Sequence, residues 1–133
     1  MRVASTLRAG GAFAAFANHP VRGDSGVHRR VQEAYARYAP ALARLDMAAG
    51  LEDRIDETGL FETVIMTSYR WQAAYTAAEY VGLMETQSHH RLLPRDQRAA
   101  LLQAIHDAIN SLGGSFAVDY ATRLHLAKRR ATA

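Results

Sequence analysis

Three groups of side chains have the types and the setting for chemistry. Asn18 and His19 close a short apolar run, Ala12 to Ala17, and Pro20 holds His19 in an extended conformation. In an open α/β sheet, ligands bind beyond the carboxyl ends of the strands, so this pair is a candidate substrate or donor contact, or else a polar loop start. Trp71 and Tyr75 follow a second strand-like segment. An aromatic pair there suits the wall of a small-molecule pocket, although such a pair more often packs a helix on a sheet. His89 and His90 precede a long helical pattern. An imidazole titrates near neutral pH and can move a proton, although a histidine in such a place is more often a hydrogen-bonding loop residue.

Other chemistry is excluded early. The chain has no cysteine, so disulfides and thiolate metal sites are absent. Its six histidines never fall in H-x-x-x-H or H-E-x-x-H spacing, and adjacency gives the side chains of His89 and His90 different directions, so no metal site is expected. No apolar run is long enough to span a bilayer. The alanine-rich start with Arg2 is broken by Arg8 and Gly10-Gly11, which argues against a signal peptide, and the absence of cysteine fits a reducing cytoplasm. The net charge is +3, but the basic residues are scattered except for Lys128-Arg129-Arg130. That tail reads as a solvated end, and nucleic acid is not an expected partner.

With 133 residues, 49% hydrophobic and 22% charged, the chain suits one domain, residues 1–133, with one modest core. Thr6 to Gly11 reads as a helix end and turn. The wholly apolar Ala12 to Ala17 reads as a strand buried on both faces, followed by a loop from His19 to Gly26 in which Asp24 or Ser25 caps the next helix. Val31, Ala34, Tyr35 and Tyr38 have helical spacing, and Pro40 restarts a helix expected to run to Ala49. A short helix spans Glu52 to Thr58 and Gly59 closes it. Phe61 to Trp71 is a candidate strand, and Thr76 and Glu79 form a capping box for a helix to about Thr86. Pro94 opens a longer helix with the stripe Leu101, Ile105, Ala108 and Leu112, ended by Gly113-Gly114. Phe116 to Leu126 alternates strictly and is the clearest strand, with its even-numbered residues on one face.

Several stretches, in this order, resemble the C-terminal half of class I S-adenosylmethionine-dependent methyltransferases. Thr6-Leu7-Arg8-Ala9-Gly10-Gly11 before Ala12 to Asn18 is similar to the family's junction into its fifth strand, with Ala9 where proline is usual. Glu57-Thr58-Gly59-Leu60-Phe61 looks like the lead-in to its sixth. Tyr69-Arg70-Trp71, Tyr75 to Tyr80 and Ser88 to Pro94 follow a pattern of one branch, and Gly113-Gly114 with Thr122 to Ala127 looks like the seventh strand.

The resemblance implies a partial Rossmann-like α/β fold: a three-stranded mixed sheet in the order five, seven, six, with covering helices. It implies methyl transfer to a small molecule, with Asn18, His19, Trp71, Tyr75 and His90 on the substrate side and His90 as the candidate base. It also implies S-adenosylmethionine as donor for a full-length enzyme, but no glycine-rich G-x-G turn follows a strand here. No donor-binding residues are therefore identified, and the isolated chain is expected to bind the donor weakly or not at all. The expected partners are a missing N-terminal half or a second copy, through an exposed strand edge. The alternative is a non-catalytic binding or assembly protein derived from the same fold.

Overall fold

The computed structural model describes residues 2–44 and 50–131. The chain is mixed α/β and divides into two compact units. The first comprises Met1–Pro20, Met47–Trp71 and Tyr120–Ala133, and the second Val21–Asp46 and Gln72–Asp119.

Helix α1 (Arg2–Thr6) is short and leads through Gly10, at φ +75°, into strand β1 (Ala12–Pro20). Helix α4 (Leu51–Asp56) stops before Gly59, whose φ of +65° is open to glycine at little cost. Strand β2 (Ile65–Thr76) and strand β3 (Ser115–Lys128) complete the sheet in the order β1-β3-β2. Strand β1 runs antiparallel to β3 without a bulge, from Ala12 opposite Lys128 to Pro20 opposite Tyr120. The expected strand order is present, but the sheet is antiparallel rather than mixed, because its central strand runs against both neighbours. In the first unit Ala4, Ile55, Phe61 and Ala127 form a core, joined by Val3, Leu7, Phe13 and Leu51.

Strand β1 is not buried on both faces. It is an edge strand and extends through His19 and Pro20, which were expected in a loop. Phe13, Ala15 and His19 are half-buried, whereas Phe16 is 74% exposed. The core residues of the first unit pack on the Phe13 side of the strand and leave Phe16 to solvent. The second strand also starts later than expected. Phe61 makes an isolated bridge to Arg129 and is buried in the core.

In the second unit, Ser25 caps helix α2 (Gly26–Tyr38) by accepting from the His28 backbone N–H. Helix α3 (Pro40–Ala43) restarts at proline as expected. The continuation of this helix to Ala49 falls on 45–49, outside the described residues. Helix α5 (Ala77–Glu85) carries the full capping box: the Glu79 N–H donates to Thr76 Oγ1 at 3.2 Å, and the Thr76 N–H to Glu79 Oε2 at 2.8 Å. Thr76→Ala removes one of these bonds and lowers stability by about 1 kcal/mol, read as a downward shift of the thermal midpoint by circular dichroism.

Helix α6 (Ser88–Arg91) is a single turn that the sequence pattern did not show. Helix α7 (Arg95–Ser111) packs against α2 and α5. Pro94 is its N-cap rather than its first residue, and Leu112 lies past its end, 42% exposed and outside the apolar stripe. Among the described residues, no helix is long and apolar enough to cross a membrane.

Lys128 and Arg130 of the basic tail are exposed, as expected of a solvated end, but its two arginines are also tied down. The Arg129 guanidinium donates to the Leu7 carbonyl, and Arg130 Nε donates to the Phe61 carbonyl at 2.6 Å. These bonds tie the end of β3 to the elements that pack on it.

Candidate functional site

The five candidate residues fall into two groups. Asn18, His19 and Trp71 belong to the first unit, and Tyr75 and His90 to the second.

In the first unit, strand pairing places Asn18 opposite Thr122. Directly opposed residues of an antiparallel pair share one face, so their side chains can meet. Thr122 Oγ1 donates to Asn18 Oδ1 at 2.6 Å and accepts from Trp71 Nε1 at 2.8 Å. A hydrogen-bonded chain therefore crosses all three strands, Trp71 to Thr122 to Asn18. The Trp71 ring stacks on Tyr120, with ring centroids 4.4 Å apart and planes 18° apart. The result is a braced indole, 40% exposed, beside an exposed asparagine amide whose NH2 group is not used in this chain. Such a surface can contact a planar or carbonyl-bearing ligand. His19 points to the opposite face of β1 and is half-buried.

The joining residue, Thr122, was visible in the sequence only as one member of an alternating strand. The strand register is what selects it. Sequence reasoning also missed the first unit's buried imidazole. His125, 4% exposed, has its Nε2 2.8 Å from Glu52 Oε1 at the start of α4. Glu52's backbone hydrogen bond, then the bond to His125, hold its carboxyl below the usual value.

In the second unit, His90 sits on α6 and is 2% exposed. Its Nε2 lies 2.7 Å from the Tyr35 hydroxyl, and that hydroxyl is 3.4 Å from Met84 Sδ. Every donor is satisfied if Nε2–H donates to the Tyr35 oxygen and the Tyr35 O–H donates to the sulfur. His90 Nδ1 is then a lone pair, buried without a partner. Burial, followed by the neighbouring His89, pulls the His90 imidazole down to about 4. Burial likewise raises the hydroxyls of Tyr35 and Tyr80 above their ordinary value. Tyr75 packs on Tyr80 at 5.7 Å, and Tyr80 packs edge-on to Phe116 at 4.8 Å. His90 is thus neutral at physiological pH and its ring is enclosed.

A groove of about 350 Å³ lies between α2 and α7, lined in part by Arg30, Arg37, Glu33 and Asp107. Its lining holds two arginines and two acidic residues, so it offers no formal net charge to a ligand.

Gly10, Gly59, Gly113 and Gly114 take positive φ before strands rather than after them. Gly23 follows β1, but a Cβ there would lie 2.2 Å from the His28 ring, so its bare backbone is covered by that imidazole. Among the described residues, no group of three or more His, Asp or Glu is placed to hold a metal ion. No family model matches the chain, and no curated protein is significantly similar to it.

Proposed function

We propose that these residues form the acceptor-side half of an S-adenosylmethionine-dependent methyltransferase domain. The observation that carries this reading is the sheet order β1-β3-β2, in which the last strand inserts antiparallel between the other two. It is the order that the resemblance implies for the end of that fold. No G-x-G turn follows a strand in the sequence, so on this reading the methyl donor is held mainly by residues outside it.

This chain's own contribution is positioning. Trp71, fixed by Tyr120 and Thr122, offers a flat apolar contact, and the Asn18 amide offers a donor to an acceptor substrate. Holding a nucleophile in line with the methyl group is most of what such an enzyme must supply. His90 has the neutral form that a base requires, but in this arrangement it serves Tyr35.

Equilibrium dialysis of the isolated chain against labelled S-adenosylmethionine tests the reading. The expected result is no saturable binding. Tight, stoichiometric binding would place a donor site in this chain and overturn the division. Sequencing the gene upstream of the Met1 codon in all three frames is the second test. A strand followed by a glycine-rich turn supports the proposal, and its absence in every frame refutes it. In that case the exposed β1 edge favours the alternative, an assembly protein that carries no chemistry.

A further inference from the structure

Strand β1 ends the sheet, and its pairing with β3 fixes which backbone groups face outward. The Arg129 N–H donates to Gly11 O at 2.8 Å, and the Val21 N–H to Asp119 O at 2.7 Å. In an antiparallel ladder such bonds recur at every second residue. The odd-numbered residues of β1 therefore bond to β3. The N–H and C=O groups of Ala12, Ala14, Phe16 and Asn18, and the C=O of Pro20, point away from the sheet. Among the described residues no strand lies on that side.

Edge strands are ordinarily protected by charge, bulges or internal proline. This one has nine residues, no charged side chain and no bulge, and its proline is the last residue. Its even-numbered side chains, Phe16 foremost, are exposed.

We infer that two copies of this chain pair β1 to β1 antiparallel about a two-fold axis at Phe16, making a continuous six-stranded sheet. The strand is self-complementary in this register. Phe16 faces its own counterpart, Ala14 faces Asn18, and Ala12 faces Pro20. Ala15 and Ala17 oppose each other, as do Phe13 and His19. No like charges meet, and the missing proline N–H falls at the outermost pair, where it costs one hydrogen bond at each end. A charged surface such as a phosphate backbone finds no complement on this strand, whereas an identical strand does. The area covered by one strand pair lies at the small end of specific interfaces, so the dissociation constant is expected on the order of micromolar. The inference does not rest on the methyltransferase reading. A donor half using the same edge would compete with the dimer.

The absence of cysteine makes the test direct. Across the axis, Cα atoms at Phe16 would stand about 5.5 Å apart, within disulfide reach, whereas those at Ala12 would stand about 26 Å apart. Phe16→Cys should form a covalent dimer on mild oxidation, and Ala12→Cys should not. Equal cross-linking of the two variants overturns the register. Sedimentation velocity of the unmodified chain should show a concentration-dependent dimer, and a monomer at about 200 μM, some hundredfold above a micromolar constant, overturns the proposal. Ala14→Pro removes only an outward N–H and leaves the β1–β3 bonds intact. It should weaken the dimer at least about tenfold with an unchanged circular dichroism spectrum, and an unchanged dimer refutes edge pairing. Donor dialysis reads out separately, so either proposal can fail without the other.

Discussion

Ile105→Ala lowers the stability of the second unit by about 3 kcal/mol. Ile105 lies in the middle of α7 and is fully buried, as are Leu101 and Ile109 one turn to either side. Its side chain is enclosed where α7 packs against α2 and α5. Truncation removes three carbons from a fully buried site, which its packed surroundings refill only in part. The cost is thus the lost transfer free energy plus that of the cavity. Total stability of a domain is only about 5–15 kcal/mol, so the midpoint of thermal unfolding should fall by roughly 10 °C. Leu112→Ala is the control. The same stripe placed Leu112 in the core, but it stands past the helix end and is 42% exposed, so its truncation should cost under about 1 kcal/mol. Urea denaturation followed by far-ultraviolet circular dichroism separates the two, and equal losses would refute the packing described for α7.

The contrast between Ile105 and Leu112 shows where periodicity succeeds and where it stops. Apolar spacing located α7, and the threonine–glutamate pair located the start of α5, because both signals are local. Strand β3 was equally clear as a strand, but not in the face it buries. Phe116, Val118 and Tyr120 are buried, and then the pattern changes parity to Ala121, His125 and Ala127. Both faces of β3 carry apolar residues, so alternation alone cannot say which is covered along its length. In β1 the reverse holds. An unbroken apolar run looks doubly buried whether or not anything covers it, and Phe16 shows that here one face is open.

The candidate site was legible in its ends and not in its middle. Asn18 and Trp71 stand out because polar and aromatic residues at strand ends suit ligand contact. What joins them is Thr122, more than a hundred residues from Asn18, and only the β1–β3 register makes them neighbours. The same is true of His90 and Tyr35, and of His125 and Glu52. In each pair one member came from a helix whose packing partner the sequence did not name.

Acidification from pH 7 to pH 4 should destabilise the second unit through His90. Its imidazole falls from an ordinary 6.5 to about 4 in the folded state, because burial, and then His89, disfavours the charged form. Above pH 6.5 the ring is neutral in both states and folding carries no penalty. Between 6.5 and about 4 the unfolded chain takes up a proton that the folded chain refuses, so stability falls as pH falls. The full loss is on the order of 3 kcal/mol and is complete only below pH 4. Glu52 contributes in a different window. Its carboxyl is held below the ordinary 4.5, so its share is lost only at still lower pH. Urea midpoints measured at half-unit steps from pH 7.5 to 4.5 should therefore slope downward with acid, and His90→Gln should flatten the slope while keeping an amide within reach of Tyr35. A slope unchanged in that variant would assign the acid sensitivity to another group. A flat profile in the unsubstituted chain would mean that His90 accepts a proton where it sits, and would restore it as a base accessible to substrate.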